Sequence, residues 1–172
     1  FDKALRVSYK VINLDNQSIY FSVGAHPAFN VPFSPGENYD DYYLEFETDE
    51  ALHTHMLSSG GYFTGSTLPV TLQDGKLPLY YNLFSNDALV FKNLHSRRVT
   101  IKSVHHQHSL SVAFPHFSYL GLWAKQNADF ICIEPWLGCA DTENEAVDIK
   151  NKEAIQKLDK GHVFEAHYSI SV

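Results

Sequence analysis

The sequence predicts an all-β protein, a large antiparallel β-sandwich, and three observations carry that reading. Short apolar stretches alternate with polar residues at period two along almost all of the 172 residues. Clusters of Gly, Pro, Asn, Asp and Ser separate these stretches. Only one segment, Asn151 to Leu158, places apolar residues (Ile155 and Leu158) at helical spacing, and it is long enough for one or two turns. Many short strands with turns between them give a sandwich or barrel.

In chain order, Leu5, Val7, Tyr9 and Val11 alternate with polar residues. Turn chemistry at Asp15 to Ser18 follows, then Ile19 to Val23, and the two runs read as a hairpin. Pro27, Pro32 and Pro35 interrupt any ladder, so Asn30 to Asn38 is a loop. Alternation resumes at Tyr42 to Thr48, with Tyr42, Leu44 and Phe46 on one face and Tyr43, Glu45 and Glu47 on the other. Further strands are expected at Leu52 to Leu57, Leu68 to Leu72, Ala88 to Lys92, Arg98 to Val104, Ser109 to Phe114, Tyr119 to Lys125, Phe130 to Glu134 and His162 to Val172. No fixed-period repeat interrupts the pattern, so residues 1–172 read as a single sandwich domain.

A formal net charge of -7 argues against nucleic-acid or anionic-membrane partners, which require a basic footprint. Arg97, Arg98, Lys92 and Lys102 form the one local basic cluster, and their places in alternating strands suggest solvated faces. No run is long and apolar enough for a transmembrane helix. Two cysteines, Cys132 and Cys139, are too few for a disulfide framework, and free thiols in a cytoplasmic protein are the expectation. The chain starts with Phe1 rather than Met and enters a strand pattern at once, so a missing natural beginning is expected. The strand edge left open is then expected either to belong to a longer polypeptide or to pair with a second chain.

Chemistry concentrates in two stretches. In Ile131-Cys132-Ile133-Glu134-Pro135-Trp136, alternation sends Phe130, Cys132 and Glu134 to one face. Glu134 then stands where the strand leaves the sheet, as a carboxylate that is paired, protonated, used, or simply in reach of water. In Gly24-Ala25-His26-Pro27-Ala28-Phe29-Asn30, Gly24 lets the chain bend and Pro27 keeps His26 out of the helical region. A histidine so fixed suits either a proton donor to a polar ligand or a structural bond to a loop carbonyl.

Phe21 to Asn30, Asn86 to Phe91 and Ile131 to Gly138, in this order, resemble the aldose 1-epimerases (galactose mutarotases), and their LacX-like branch in particular. The resemblance runs on to Leu158 to Phe164. It implies a β-sandwich with a sugar cleft on one sheet, His26 as general acid and Glu134 as general base. It also implies an aspartate holding sugar hydroxyls, matched by Asp87, which reads equally well as a turn residue. Family members are considerably longer and draw an arginine from an N-terminal part that this sequence does not contain.

Interconverting the anomers of a hexose, with or without a phosphate, moves one proton off the C1 hydroxyl and one onto the ring oxygen. That requires an acid and a base on opposite sides of the sugar, and neither a metal nor another cofactor. Asn30, Phe29, Trp123 and Trp136 are the candidate sugar contacts, the aromatics offering apolar faces or packing in the core. The alternative function is a non-catalytic carbohydrate-binding sandwich, which has no use for His26 and Glu134 as a proton-transfer pair. His53 with His55, and His105, His106 and His108, suggest metal ligation, but no glutamate follows the first pair, so solvated histidines are expected.

Overall fold

A computed structural model describes residues 3–172. Phe1, on which the expectation of a missing beginning rests, lies outside them. Among the described residues fifteen strands run in the order β1 (Ala4–Ile12), β2 (Ile19–Phe21), β3 (Val23–Gly24), β4 (Ala28–Asn30), β5 (Tyr42–Phe46), β6 (His53–Leu57), β7 (Phe63–Pro69), β8 (Lys76–Pro78), β9 (Leu89–Lys92), β10 (Arg98–Ser103), β11 (Ser109–Ala113), β12 (Tyr119–Trp123), β13 (Phe130–Leu137), β14 (Gln156–Leu158) and β15 (Val163–Ser171). A six-stranded sheet has the order β1-β15-β11-β10-β5-β8. A five-stranded sheet has the order β3-β13-β12-β9, with β4 also paired to β13. Both are antiparallel throughout.

The core lies between these two sheets. Leu44, Val99, Ile101 and Val112 reach it from the six-stranded sheet, and Leu120, Leu122, Ile131 and Ile133 from the five-stranded one, all fully buried. Burying each such side chain contributes roughly 1.5–3 kcal/mol. The alternation read at Tyr42, Leu44 and Phe46 is the inward face of β5.

Three local expectations are corrected. The first two strands do not form a hairpin: β1 pairs with β15 over its whole length and β2 pairs with β14. Buried Asn13 directs this crossing, because its side-chain amide donates to the carbonyls of Gln17 and Leu158, both at 2.8 Å. The helix expected at Asn151 to Leu158 shrinks to one 3-10 turn at Ile149–Asn151. Ala154 adopts φ 58°, which ends helical winding, and Gln156–Leu158 becomes strand. The strand expected at Leu68 to Leu72 lies earlier, at Phe63–Pro69, because its partner β6 ends its ladder at Pro69.

Lys92 is not on a solvated face either. Its side chain is 12% exposed, pairs with Glu153 at 2.7 Å and sits over the Phe63 ring at 4.0 Å. Among the described residues no helix is long and apolar enough to cross a membrane.

Candidate active site

Two prolines build the site. Gly24 pairs with Trp136 and Ala28 with Cys132, so the register carried through sets His26 directly opposite Glu134. On either side of that pair the ladder keeps one bond: Ala25 N–H donates to the Pro135 carbonyl at 3.0 Å, and Ile133 N–H to the Pro27 carbonyl at 3.3 Å. The return bonds are missing because Pro135 and Pro27 have no N–H. His26 and Glu134 thus form the narrow, non-hydrogen-bonded kind of cross-strand pair, in which side chains approach most closely. Glu134 accordingly lies within β13, which runs on to Leu137, and not where the strand leaves the sheet.

His26 Nε2 is 3.4 Å from Glu134 Oε1. The histidine side chain is 61% exposed and the glutamate side chain 6%. Burial pushes the Glu134 carboxyl up to about 7, and a hydrogen bond from the Trp136 side chain partly offsets it. The two side chains stand side by side on one sheet face, and not on opposite sides of a ligand as the sequence suggested. This suits the chemistry, because the C1 hydroxyl and the ring oxygen of an aldose hang from the same carbon.

The indole of Trp136 lies across two glycines. A Cβ on Gly24 would sit 2.7 Å from Trp136 Cδ1, and one on Gly121 would sit 2.5 Å from Trp136 Cη2. Gly121 is the partner of Glu134 on β12, so the missing side chain is what lets the ring cover the floor beside the carboxylate. Trp136 and Gly24 also line a neighbouring cleft of about 390 Å³ with Phe63, Val90 and Cys139, which neither His26 nor Glu134 borders.

Of the other residues singled out in the sequence, Trp123 joins the pair: its ring meets His26 edge-on with centroids 6.0 Å apart. Asn30, exposed and opposite Phe130, is on the same face two positions beyond Ala28. Phe29 is on the other face, opposite Ile131, and packs against the core. Asp87 is exposed at φ 84° in a turn, where its carboxylate accepts the Ala88 N–H at 2.7 Å. It lines a separate hollow with Tyr80, Leu83 and Asn86.

Sequence reasoning passed over two contributors. Cys132, 1% exposed, is the group that His26 and Glu134 share, the donor atoms of all three lying within 4.8 Å of one another. Its spacing two residues before Glu134 was the available signal. Gly121 carried none, since its importance depends on the register with β13. In the histidine clusters His53 and His108 are exposed, as the solvated reading expects, and His106 departs from it. His106 is mostly buried and pairs with Glu37 at 3.3 Å, and His105 pairs with Asp41 at 3.2 Å, fastening the Pro-rich loop to the β10–β11 turn. Arg97 is spent on the carbonyls of Leu94 and Ser96, and Arg98 on Glu47 at 2.7 Å.

Comparison with known proteins agrees with this architecture. The family model described as aldose 1-epimerase matches residues 2–171. The chain is 34% identical over 160 residues to the chromosomal protein LacX of Lactococcus lactis subsp. lactis, covering 91% of this chain and 54% of that protein. The plasmid-borne LacX matches equally. A galactose mutarotase related enzyme from Lactobacillus acidophilus superposes with a TM-score of 0.89 at 25% identity, over 98% of this chain and 57% of that one. A galactose mutarotase-like protein from Lactobacillus casei gives 0.85 at 28%, over 96% and 58%. The chain therefore spans about half the length of the relatives it matches. By match, fold and the order of its motifs, it belongs to the aldose 1-epimerase family as a LacX-like member.

Proposed function

We propose that this chain carries the acid–base pair of a mutarotase that interconverts the α and β anomers of a hexose. The observation that carries the reading is the touching cross-strand pair of His26 and buried Glu134 on an aromatic-walled sheet face. Glu134 takes the proton of the C1 hydroxyl while His26 delivers one to the ring oxygen. The C1–ring oxygen bond breaks, leaving the open-chain aldehyde. Rotation about C1–C2 presents the other carbonyl face, and closure returns both protons, so nothing is consumed. A carboxylate with its proton affinity near neutrality can take and return a proton at little cost.

Trp136 beside Glu134 and Trp123 beside His26 supply flat apolar surfaces for the ring C–H groups. Asn30 is placed to meet hydroxyls at the same face, and Asp87 would join it only by contact with a sugar reaching beyond the pair. Phe29 supports the floor from beneath. Cys132 and Cys139 are free, which fits a cytoplasmic setting.

The test is anomer exchange on the intact protein, followed by NMR with glucose, galactose and their 6-phosphates as candidate substrates. Exchange should be fast in the wild type and fall roughly a hundredfold or more in His26→Asn. Sugar binding with no catalysed exchange would replace this reading by that of a carbohydrate-binding sandwich.

A further inference from the structure

We propose that His26, Cys132 and Glu134 also form a binding site for a thiophilic divalent cation, with Zn2+ as the type ligand. Cys132 takes no part in the proton transfers above, yet it is buried on the same face and shares one small space with both of their carriers. The three donor atoms are a nitrogen, a sulfur and an oxygen, all within 4.8 Å of one another. Zinc bonds to such donors measure about 2.0–2.3 Å, so donors gathered on one ion stand a little closer than these, and side-chain rotation closes the gap.

Two donors stand on strand β13, and the third stands on the short segment 25–27 that joins β3 to β4. Cys132 and Glu134 alternate onto one face of β13, and His26 is fixed opposite Glu134 by the flanking register. Ala28, directly across from Cys132, adds only a methyl group at that point of the face. Burial pushes the Cys132 thiol up to about 11, so the cation has to displace its proton; the thiolate and the carboxylate then neutralise the dication and the floor gains no net charge. The sulfur selects against Mg2+ and Ca2+, which prefer all-oxygen surroundings. Exposed His26 provides the entrance, and three protein ligands leave a fourth position for water.

Such a cation engages the Nε2 of His26 and the carboxylate of Glu134, which are the atoms that must exchange protons with the sugar. Binding of the cation stands on its own, whereas inhibition of anomer exchange by it rests on the proposed mutarotase activity.

Titration with Co2+ reads the site directly, through thiolate-to-cobalt charge-transfer absorption and the strong visible bands of a four-coordinate ion. Wild type and Cys139→Ser should both develop these bands, and Zn2+ should displace them. Cys132→Ser should lose the charge-transfer band. His26→Asn, altered at an exposed position that leaves the core untouched, should bind Co2+ at least tenfold more weakly. Absence of the band, its survival in Cys132→Ser, or its loss in Cys139→Ser overturns the site. In a parallel assay Zn2+ should slow anomer exchange in the wild type and spare Cys132→Ser. Exchange unaffected by Zn2+ overturns the inhibition, and a protein without exchange activity counts against the mutarotase reading while the cobalt titration still decides the site.

Discussion

Two histidine–glutamate pairs in this molecule have almost the same contact distance and opposite chemistry. His26 and Glu134 stand 3.4 Å apart, and His106 and Glu37 stand 3.3 Å apart. Burial lifts the Glu134 carboxyl to about 7, whereas the Tyr42 hydroxyl, donating to Glu37, holds that carboxyl below its ordinary value, with His106 assisting. The difference lies in what else reaches the carboxylate. Glu37 has a phenol that is itself anchored by the Phe33 N–H at 2.8 Å. Glu134 has the side chain of Trp136 and little water. A nearby imidazole therefore does not by itself set a carboxylate's proton affinity; the other donors and solvation decide it. On the proposed reading the first pair exchanges protons with a sugar, whereas the second is a clasp.

Exchanging the two glutamates for their amides separates these roles most sharply. Glu134→Gln should lower the rate of anomer exchange by roughly a hundredfold or more while sugar still binds, since shape is kept and the base is lost. Glu37→Gln should leave the rate within about twofold of wild type, as expected of a change outside the proton path. Single-turnover and equilibrium binding measurements on both variants distinguish the outcomes.

Stability should respond in the opposite sense. Because folding raises the Glu134 value from 4.5 to about 7, the folded state holds that proton more tightly than the unfolded chain. The group costs nothing below pH 4.5, and its cost grows as pH rises from 4.5 through about 7. Glu134→Gln should thus stabilise the protein by about 3 kcal/mol above pH 7 and by almost nothing in acid. Glu37 behaves inversely: its lowered value contributes stability above 4.5 that is lost as pH falls through the folded value. Denaturant titrations across this range show whether the two curves diverge as stated.

A subtler change tests the floor rather than the pair. Gly121→Ala places a methyl group 2.5 Å from the Trp136 ring, so the indole must move. We expect a loss of about 1–3 kcal/mol in stability and slower exchange with His26 and Glu134 both intact. Tryptophan fluorescence and thermal unfolding report the displacement. Smallest is Tyr42→Phe, which removes the donor to Glu37 and the acceptor of the Phe33 N–H. It should cost about 1 kcal/mol and leave exchange unaltered, as thermal unfolding with the rate assay would show.

The sequence displays one of these pairs and hides the other. Alternation along β13 set Glu134 and Cys132 on a common face, and Pro27 marked His26 as constrained. Pro27, which argued for an interrupted strand, turns out with Pro135 to flank the pair within a continuous register. Long-range partners explain most of what was illegible. β1 meets β15 across nearly the full chain, so the local turn signal at Asp15 to Ser18 gave a hairpin that does not form. Gln156–Leu158 follows helical spacing but is claimed by β2. The clasp of Glu37 and His106 joins a loop to a turn far along the chain, and no local pattern announces it. Phe29, three residues after His26, points away from it because an odd offset along a strand reaches the opposite face.

The most direct measurement is a carbon-13 NMR titration of glutamate side-chain carboxyls, with Glu134→Gln and Glu37→Gln providing the assignments. In the absence of added metal, Glu134 should titrate near pH 7 and Glu37 below 4.5. A Glu134 carboxyl that titrates at or below 4.5 would contradict the account, because it would make the two pairs chemically alike.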